Sequence, residues 1–228
     1  MGHVVYDDLT LERFLRLPET KPALEYLGGK VVQKWSNRAT GLGHVIYEDL
    51  SLKRFLRLPE AKPALEYLGG MVVQKMSPKT THSVLQTLLS SRILNFAMPH
   101  KLGQPYNELR CTFGGVSIVP DLCYFERGRI PRDEHGKLVD DVLLPPDLAI
   151  EIISPGQTLK AIGAKLSRCV RDGVRLGWLI QPRRSKVFVF RPDRPVETLE
   201  LGGVLGGDEV LPGFTLPLSE MFGWLVPE

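Results

Sequence analysis

Apolar side chains recur every three or four positions in residues 81–97 and again in residues 158–172, and this spacing predicts two amphipathic helices. Ser77-Pro78 precedes the first helix and Gly173 follows the second, as is typical of helix ends. The apolar positions are Val84, Leu85, Leu88, Leu89, Ile93 and Phe96 in the first helix, and Leu159, Ile162, Leu166, Cys169 and Val170 in the second.

Short apolar runs bounded by glycine, proline or polar residues predict strands. Gly114-Gly115 fits a turn, residues 126–141 form a polar surface loop, and the apolar tail LPGFTLPLSEMFG is expected to pack on the sheet. This mixture of helices and strands predicts an α/β or α+β sandwich around one mixed sheet. The predicted strands lie near 106–113, 116–119, 121–126, 145–155, 176–181 and 186–191.

A tandem duplication occupies the start of the chain. Residues 2–34 and 43–75 are offset by 41 positions and differ at six of 33. Each copy predicts a short helix followed by a hairpin; in the second copy the helix lies near 49–58 and the hairpin turns at Gly69-Gly70. Two copies are too few for a solenoid. We therefore divide the chain into an extra copy, residues 1–42, and a single domain, residues 43–228. The differing positions are Val5/Ile46, Asp7/Glu48, Thr10/Ser51, Glu12/Lys53, Thr20/Ala61 and Lys30/Met71.

Composition excludes several classes of protein. The 228 residues are 43% hydrophobic and 24% charged, which is globular usage and excludes a disordered or fibrous chain. Cys111, Cys123 and Cys169 form no CxxC pair, which disfavours a zinc site and indicates reduced thiols in a cytoplasmic setting. The start shows no signal-peptide pattern, and no apolar run reaches the roughly 18 residues of a membrane span. We expect a cytoplasmic protein that does not enter a membrane.

Two acidic side chains stand out among apolar neighbours. Asp121 follows Pro120, and Glu151 lies in the strand DLAIEII. Because strand side chains alternate, Glu151 is expected on the same face as Ala149 and Ile153. A carboxylate in apolar surroundings is costly unless it is paired or holds a metal. The alternative is a strand-end glutamate that faces solvent or pairs with an arginine.

The segments PDLCYF and PPDLAIEIISPGQTLKAIGAKLSRCVRDGVRLGWLIQP resemble the Uma-type endonuclease family of the PD-(D/E)XK, or restriction-endonuclease-like, superfamily. The resemblance covers roughly residues 47–220 and includes LEYLGGMVVQKMSPKTTH and DEVLPGF. The order and spacing of these segments make it specific, whereas PD alone is a weak motif. It implies a restriction-endonuclease-like core with a mixed central β-sheet flanked by helices, here preceded by the duplicated helix-hairpin unit.

The resemblance also implies a Mg²⁺-dependent nuclease, with Mn²⁺ as a substitute metal. In this superfamily the first Asp and the Glu of the next strand hold the metal, and they match Asp121 and Glu151. The E-x-K lysine that is usual in the superfamily would stand at Ile153, which cannot replace it; in the Uma-type family this position is usually apolar too. In Uma-type proteins a lysine of the following helix takes that place, and the matching residue is Lys165, with Lys160 in reserve. The alternative is that both lysines extend to solvent.

Three further residues are weaker candidates for the same site. Glu66 matches the glutamate of the family's hairpin; its duplicate, Glu25, is not followed by the long helix, so we assign the role to Glu66 alone. His82 matches a histidine at the helix start, where it could contact phosphate or move a proton. The alternative for His82 is a residue with local hydrogen bonds only. Glu108 lies one strand before Asp121 and could face the same cleft.

The net charge of +3 conceals an uneven distribution. Residues 154–195 contain ten Lys or Arg and two Asp, a net charge of +8, whereas residues 196–228 carry −6. A basic surface near a metal site favours DNA as the partner, with salt-dependent binding. The alternative is an ordinary solvated surface that the acidic tail neutralises. The candidate DNA-binding residues are Lys160, Arg168, Arg171 and Arg175.

The leading hypothesis is therefore a Mg²⁺-dependent endonuclease that hydrolyses phosphodiester bonds in DNA by attack of water. One rival is a protein of nuclease fold that binds nucleic acid or a protein without cutting, which the missing E-x-K lysine favours. A second rival is a copy inactivated by its duplication. A homodimer is expected only from the resemblance.

Overall fold

The computed structural model describes residues 40–226 and, before them, the backbone of three strands, β1 (His3–Tyr6), β2 (Leu24–Leu27) and β3 (Lys30–Gln33). The helices of this described part are α1 (Leu52–Phe55), α2 (Thr80–Ala97), α3 (Leu159–Arg171) and α4 (Leu218–Gly223). Its further strands are β4 (His44–Tyr47), β5 (Leu65–Leu68), β6 (Val72–Gln74), β7 (Gly103–Asn107), β8 (Cys111–Phe113), β9 (Val116–Ile118), β10 (Leu122–Glu126), β11 (Leu148–Ile152), β12 (Leu176–Gln181), β13 (Lys186–Phe190), β14 (Glu197–Leu199), β15 (Val204–Gly206) and β16 (Thr215–Pro217).

A mixed six-stranded sheet is the centre of the fold, with the strand order β14-β13-β12-β11-β10-β7. β11 and β12 run parallel and are joined by α3, while the other neighbours in this sheet are antiparallel. α3 begins at Thr158, whose hydroxyl accepts a hydrogen bond from Ala161 N at 3.3 Å, and it ends before Gly173, which has a φ of +117°. The predicted mixed sheet flanked by helices is confirmed.

The two faces of β11 belong to different cores. Leu148, Ile150 and Ile152 pack with α2 and with the chain after residue 204, including Phe214. Ala149 packs instead with α3 and with strands of a second sheet. The alternation that a period of two predicts is confirmed, and so is the packing of the apolar tail on the sheet. Glu151 therefore projects toward α3.

The second sheet contains the second repeat, in the strand order β4-β6-β5-β9-β8. β5 pairs with β9, with Tyr67 opposite Ser117 and Leu68 opposite Val116. The predicted hairpin turn is present, since Leu68 N donates to Met71 O at 2.8 Å and the two glycines between them have positive φ. Through β9, the second repeat joins the rest of the domain.

The described backbone of the first repeat repeats this arrangement. Its strands have the order β1-β3-β2, as β4-β6-β5 have in the second repeat. His3 lies opposite Gln33, as His44 lies opposite Gln74, and both sheets have a register shift after the next residue. Each repeat thus begins with a strand, which sequence analysis did not predict. The helix predicted for the first copy lies outside the described residues.

Two predicted boundaries are wrong. The run 106–113 is two strands, β7 and β8, because the chain turns at Glu108, which has a φ of +50°. The helix predicted near 49–58 is the short α1, because Ser51 caps it and Pro59 follows closely, so Leu56 is half exposed. Among residues 40–226, no helix is long and apolar enough to cross a membrane.

Candidate active site

The candidate site lies at the end where β10 begins and β11 finishes. Leu122 of β10 lies opposite Ile150 of β11, so one further step of this antiparallel register places Asp121 opposite Glu151. Asp121 Oδ2 accepts a hydrogen bond from Ile152 N at 2.7 Å. Since neighbouring strands are about 5 Å apart, the two carboxyl groups belong to one site.

Basic and amide side chains from two other elements fix Asp121. Lys75, directly after β6, places Nζ 2.6 Å from Asp121 Oδ1 and also donates to Val119 O at 2.7 Å. His82 in the first turn of α2 places Nε2 2.9 Å from Asp121 Oδ2. One turn later, Gln86 donates to the carbonyl oxygen of Asp121 at 2.6 Å. The orientation of this carboxylate is therefore set by the second repeat, α2 and β11 together.

Lys165 connects the two other carboxyl groups of the site. Its Nζ lies 2.6 and 2.7 Å from the two oxygens of Glu66 and 2.8 Å from Glu151 Oε1. Its side chain is only 2% exposed, so it does not extend to solvent. Glu66 Oε1 also accepts a hydrogen bond from Val119 N at 2.8 Å. α3 and the second repeat thus meet at a buried ion pair.

We call these six residues the acid–lysine cluster: Glu66, Lys75, His82, Asp121, Glu151 and Lys165. Five of them are buried, and the side chain of Lys75 is 11% exposed. Charges removed from water are retained only when they are paired and hydrogen-bonded. Asp121 and Glu66 meet this condition through Lys75 and Lys165. Glu151 is paired with Lys165, but within the described part of the chain its buried Oε1 accepts no hydrogen bond.

The electrostatic surroundings of Asp121 and Glu151 shift the pKa values of these two carboxyl groups in opposite directions. Burial raises the pKa of Glu151 to about 7, against the opposing effect of Lys165. Burial acts in the same direction on Asp121, but Lys75 and His82 outweigh it and hold the pKa of that carboxyl well below its usual range. Burial would lower the pKa of Lys165, but Glu151 and Glu66 outweigh it and raise that pKa. Two carboxyl groups with separated pKa values can take different roles in one reaction.

The donor chemistry of the site fits a hard divalent cation. Mg²⁺ is bound by one or two protein carboxylates and completes its coordination with water and phosphate oxygens. Asp121 and Glu151 are such a pair. Within residues 40–226, no group of three or more His, Cys, Asp or Glu side chains could enclose a metal ion.

Sequence analysis missed Lys75 and Gln86. Gln86 lies on the predicted long helix, but several other polar side chains lie there too, and the helical pattern does not distinguish Gln86 from them. Lys75 follows a predicted hairpin, and the pair Gln-Lys recurs in both repeats at 33–34 and 74–75. Because most positions of the repeats recur equally, this recurrence alone does not single out Lys75.

The structure does not bring Glu108 into the acid–lysine cluster. Its side chain is exposed, although its backbone N–H donates to Asp121 O at 3.4 Å. The turn at Glu108 points the side chain away while the backbone remains close to the site. Glu66 and His82, the other accessory candidates, both lie within the cluster.

The four candidate DNA-binding residues fall into two groups. Lys160 and Arg171 are exposed, and neither forms an ion pair within the described part of the chain. Arg168 pairs with Asp172 at 3.4 Å, and Arg175 contacts both Glu126 and the buried Asp147. Arg175 lies at the start of β12, at the opposite end of the parallel strands from Glu151. Only the first group is free to meet a polyanion.

Comparison with known proteins agrees with this geometry. Residues 52–219 match the model of the Uma2 family, described as "Putative restriction endonuclease". A crystal structure of a protein described as a putative nuclease belonging to DUF820, from Anabaena variabilis, is 36% identical. The match covers 78% of this chain and 99% of that one, with a TM-score of 0.75. No curated protein matches the chain. The family match spans most of the sequence, and the chain therefore belongs to the Uma2 family.

Proposed function

We propose that this protein is a metal-dependent endonuclease that hydrolyses phosphodiester bonds in DNA, with Asp121 and Glu151 holding Mg²⁺ or Mn²⁺. The observation that carries the proposal is the convergence of Asp121, Glu151 and Lys165 at one end of the central sheet. The family match and the nuclease neighbour support the same class of activity.

A bound Mg²⁺ would polarise a phosphoryl oxygen and supply hydroxide near neutral pH. The chain's own residues prepare this chemistry. Lys75 and His82 orient Asp121, and Glu66 holds Lys165 beside Glu151. Lys165 would supply a fixed positive charge beside Glu151 that can offset negative charge developing on a phosphate during attack. It takes the place of the E-x-K lysine from a different element, since Ile153 stands at the usual position.

His82 is suited to move a proton at this site. Its Nε2 contacts Asp121, while its buried Nδ1 has no hydrogen-bond partner in the described part of the chain. An imidazole with one engaged and one available nitrogen can accept a proton on one side and stay oriented by the other. We assign it this supporting role rather than that of a metal ligand.

Glu151→Gln tests the proposal most directly. The purified variant should lose Mg²⁺- or Mn²⁺-dependent cleavage of plasmid and single-stranded DNA, because an amide is a much weaker metal ligand than a carboxylate. Its melting temperature should not fall, because the site already disfavours ionised Glu151. Glu209→Gln, at an exposed position, is the matched control and should cut normally. Full cleavage by Glu151→Gln would refute the assigned site.

A second candidate function is binding of nucleic acid without cleavage. It is favoured by Lys75 and Lys165, which already lie against Asp121 and Glu151. Under this alternative, the wild-type protein shifts DNA on a gel but leaves it intact in Mg²⁺, Mn²⁺ and chelator alike. Cleavage that appears only with metal excludes it.

A further inference from the structure

The second repeat contacts the rest of the domain in two ways that matter for the site. Its strand β5 pairs with β9, with Tyr67 opposite Ser117 and Leu68 opposite Val116. It also supplies Glu66 to Lys165 and Lys75 to Asp121. The acid–lysine cluster is incomplete without this repeat.

The first repeat carries the same residue at every one of these positions. None of the six differences between the repeats falls on them. The counterparts of Glu66, Tyr67, Leu68 and Lys75 are Glu25, Tyr26, Leu27 and Lys34.

The residues that form the core of the second repeat are also nearly all present in the sequence of the first. In the second repeat this core is built on Ile46, Phe55, Tyr67 and Val72, and only Ile46 differs, as Val5. The backbone agrees as well, since β2 pairs with β3 in the register in which β5 pairs with β6. Within the described part of the chain, β2 is the edge strand of its sheet, as β5 would be without β9.

We propose that the surface formed by β9, Asp121 and Lys165 accepts the first repeat in place of the second, within one chain. In this alternative state β2 pairs with β9, Glu25 contacts Lys165, and Lys34 contacts Asp121. The duplication thus provides two interchangeable segments for one binding surface. This inference does not depend on the proposed nuclease activity.

The second repeat is the preferred occupant in the wild-type protein for two reasons. Ile46 fills one methylene more than Val5. The second repeat is also joined to α2 by a short connection, residues 76–79, whereas the first would need residues 35–79. The longer closure costs more chain entropy. Together these effects mean that the first repeat occupies the surface in only about one molecule in a hundred.

Disulfide trapping in the full-length chain tests the exchange. Leu68→Cys with Val116→Cys should cross-link rapidly, and Leu27→Cys with Val116→Cys slowly. Adding Glu66→Ala to the second pair should raise its rate at least tenfold, because the second repeat then leaves Lys165 with one carboxylate fewer. Leu27→Cys with Val204→Cys, at an exposed position of the separate sheet formed by β15 and β16, is the control for random encounter.

Peptide mass spectrometry identifies the two cross-linked positions and therefore distinguishes the possible outcomes. An intrachain link between positions 27 and 116 that grows with Glu66→Ala supports the exchange. No such link in the Glu66→Ala background, or a link only between chains, overturns it. Neither result depends on DNA cleavage, so failure of the exchange and failure of the nuclease proposal are distinguishable.

The melting temperature provides an independent test, and it can be compared between variants even when Glu66→Ala is destabilised. Glu25→Ala alone should leave the melting temperature unchanged, because the first repeat is seldom docked. In the Glu66→Ala background the same change should lower the melting temperature further, because Glu25 then holds Lys165. Equal melting temperatures for Glu66→Ala and the double variant would overturn the proposal.

Discussion

At the scale of single residues, the acid–lysine cluster depends on Lys165. Its ammonium contacts Glu66 and Glu151 at once, and its side chain has almost no contact with water. A buried charge that loses its partner is far more costly than a buried neutral group. Lys165 therefore contributes to the stability of the fold, and it also compensates the negative charge of Glu66 and Glu151.

Lys165→Met should destabilise the protein by about 3–5 kcal/mol, because two buried carboxyl groups lose their shared cation. Lys160→Met, five residues earlier in α3 but exposed, should change stability by less than about 0.5 kcal/mol. Urea unfolding measures both. Equal effects of the two substitutions would mean that the buried pairing contributes nothing.

Glu151 makes stability depend on pH. Its pKa in the folded protein is about 7, above its ordinary value of 4.5, so its contribution is fully present below pH 4.5 and is lost as the pH rises through 7. Glu151→Gln stays neutral and should lose less stability between pH 5.5 and pH 8, with a difference of up to about 2 kcal/mol. Asp121 acts in the opposite sense, because its lowered pKa removes stability only at acid pH. Parallel pH dependence of the variant and the wild type would contradict the burial of an ionisable Glu151.

Sequence patterns found three central residues of the site and missed Lys75 and Gln86. Asp121, Glu151 and Lys165 stood out because their polarity broke an apolar pattern or matched a motif. Lys75 did not, because its role arises from the pairing of β5 with β9, which brings the end of the hairpin beside Asp121. Such a long-range pairing leaves no periodic trace in the sequence.

At the scale of elements, α2 links the core of the domain to the site. Its first turns carry His82 and Gln86 to Asp121, while Leu85, Leu89 and Ile93 are fully buried against the central sheet. The helical spacing in the sequence predicted this stripe, but it also included Leu88, which is 39% exposed. The buried positions fix the helix, and the helix in turn fixes His82 and Gln86.

Leu89→Ala should destabilise the protein by about 2–5 kcal/mol, because it leaves a cavity between α2 and the central sheet. Leu88→Ala, at the neighbouring exposed position, should cost less than about 1 kcal/mol. Chemical denaturation of both variants measures the difference. A similar loss at both positions would place Leu88 against a surface that this structure does not contain.

At the scale of the whole molecule, charge is distributed unevenly. The basic segment 154–195 includes Lys160 and Arg171, which form no ion pair within residues 40–226. It also includes Arg168, Arg175 and Arg191, which acidic residues already neutralise. Arg191 pairs with Glu197 and Asp208 of the acidic tail, as the alternative interpretation of the charge pattern predicted. Only part of the formal charge is therefore available to a polyanionic partner.

If Lys160 and Arg171 contact DNA phosphates, replacing both with alanine should make the affinity less dependent on salt. The magnitude of the slope of log affinity against log salt concentration should decrease by about 2. The affinity should fall similarly for unrelated sequences, because phosphate contacts carry no sequence information. Lys137→Ala, at an exposed position of the 126–141 loop, provides the control. Fluorescence anisotropy at several salt concentrations measures the slope, and an unchanged slope would remove this surface from the interface.

The hydrogen bond from Ile152 N to Asp121 Oδ2 also makes the site observable without any substrate. A backbone amide that donates to a carboxylate reports, through its proton chemical shift and exchange rate, on whether that oxygen stays available. Any ligand that engages Asp121 Oδ2 will weaken the bond and change both signals at this one amide. The amide of Glu126, which donates to Asp147 Oδ2 at the other end of β10, serves as an internal reference. Nuclear magnetic resonance of two labelled residues can thus detect occupancy of the site without any assay of activity.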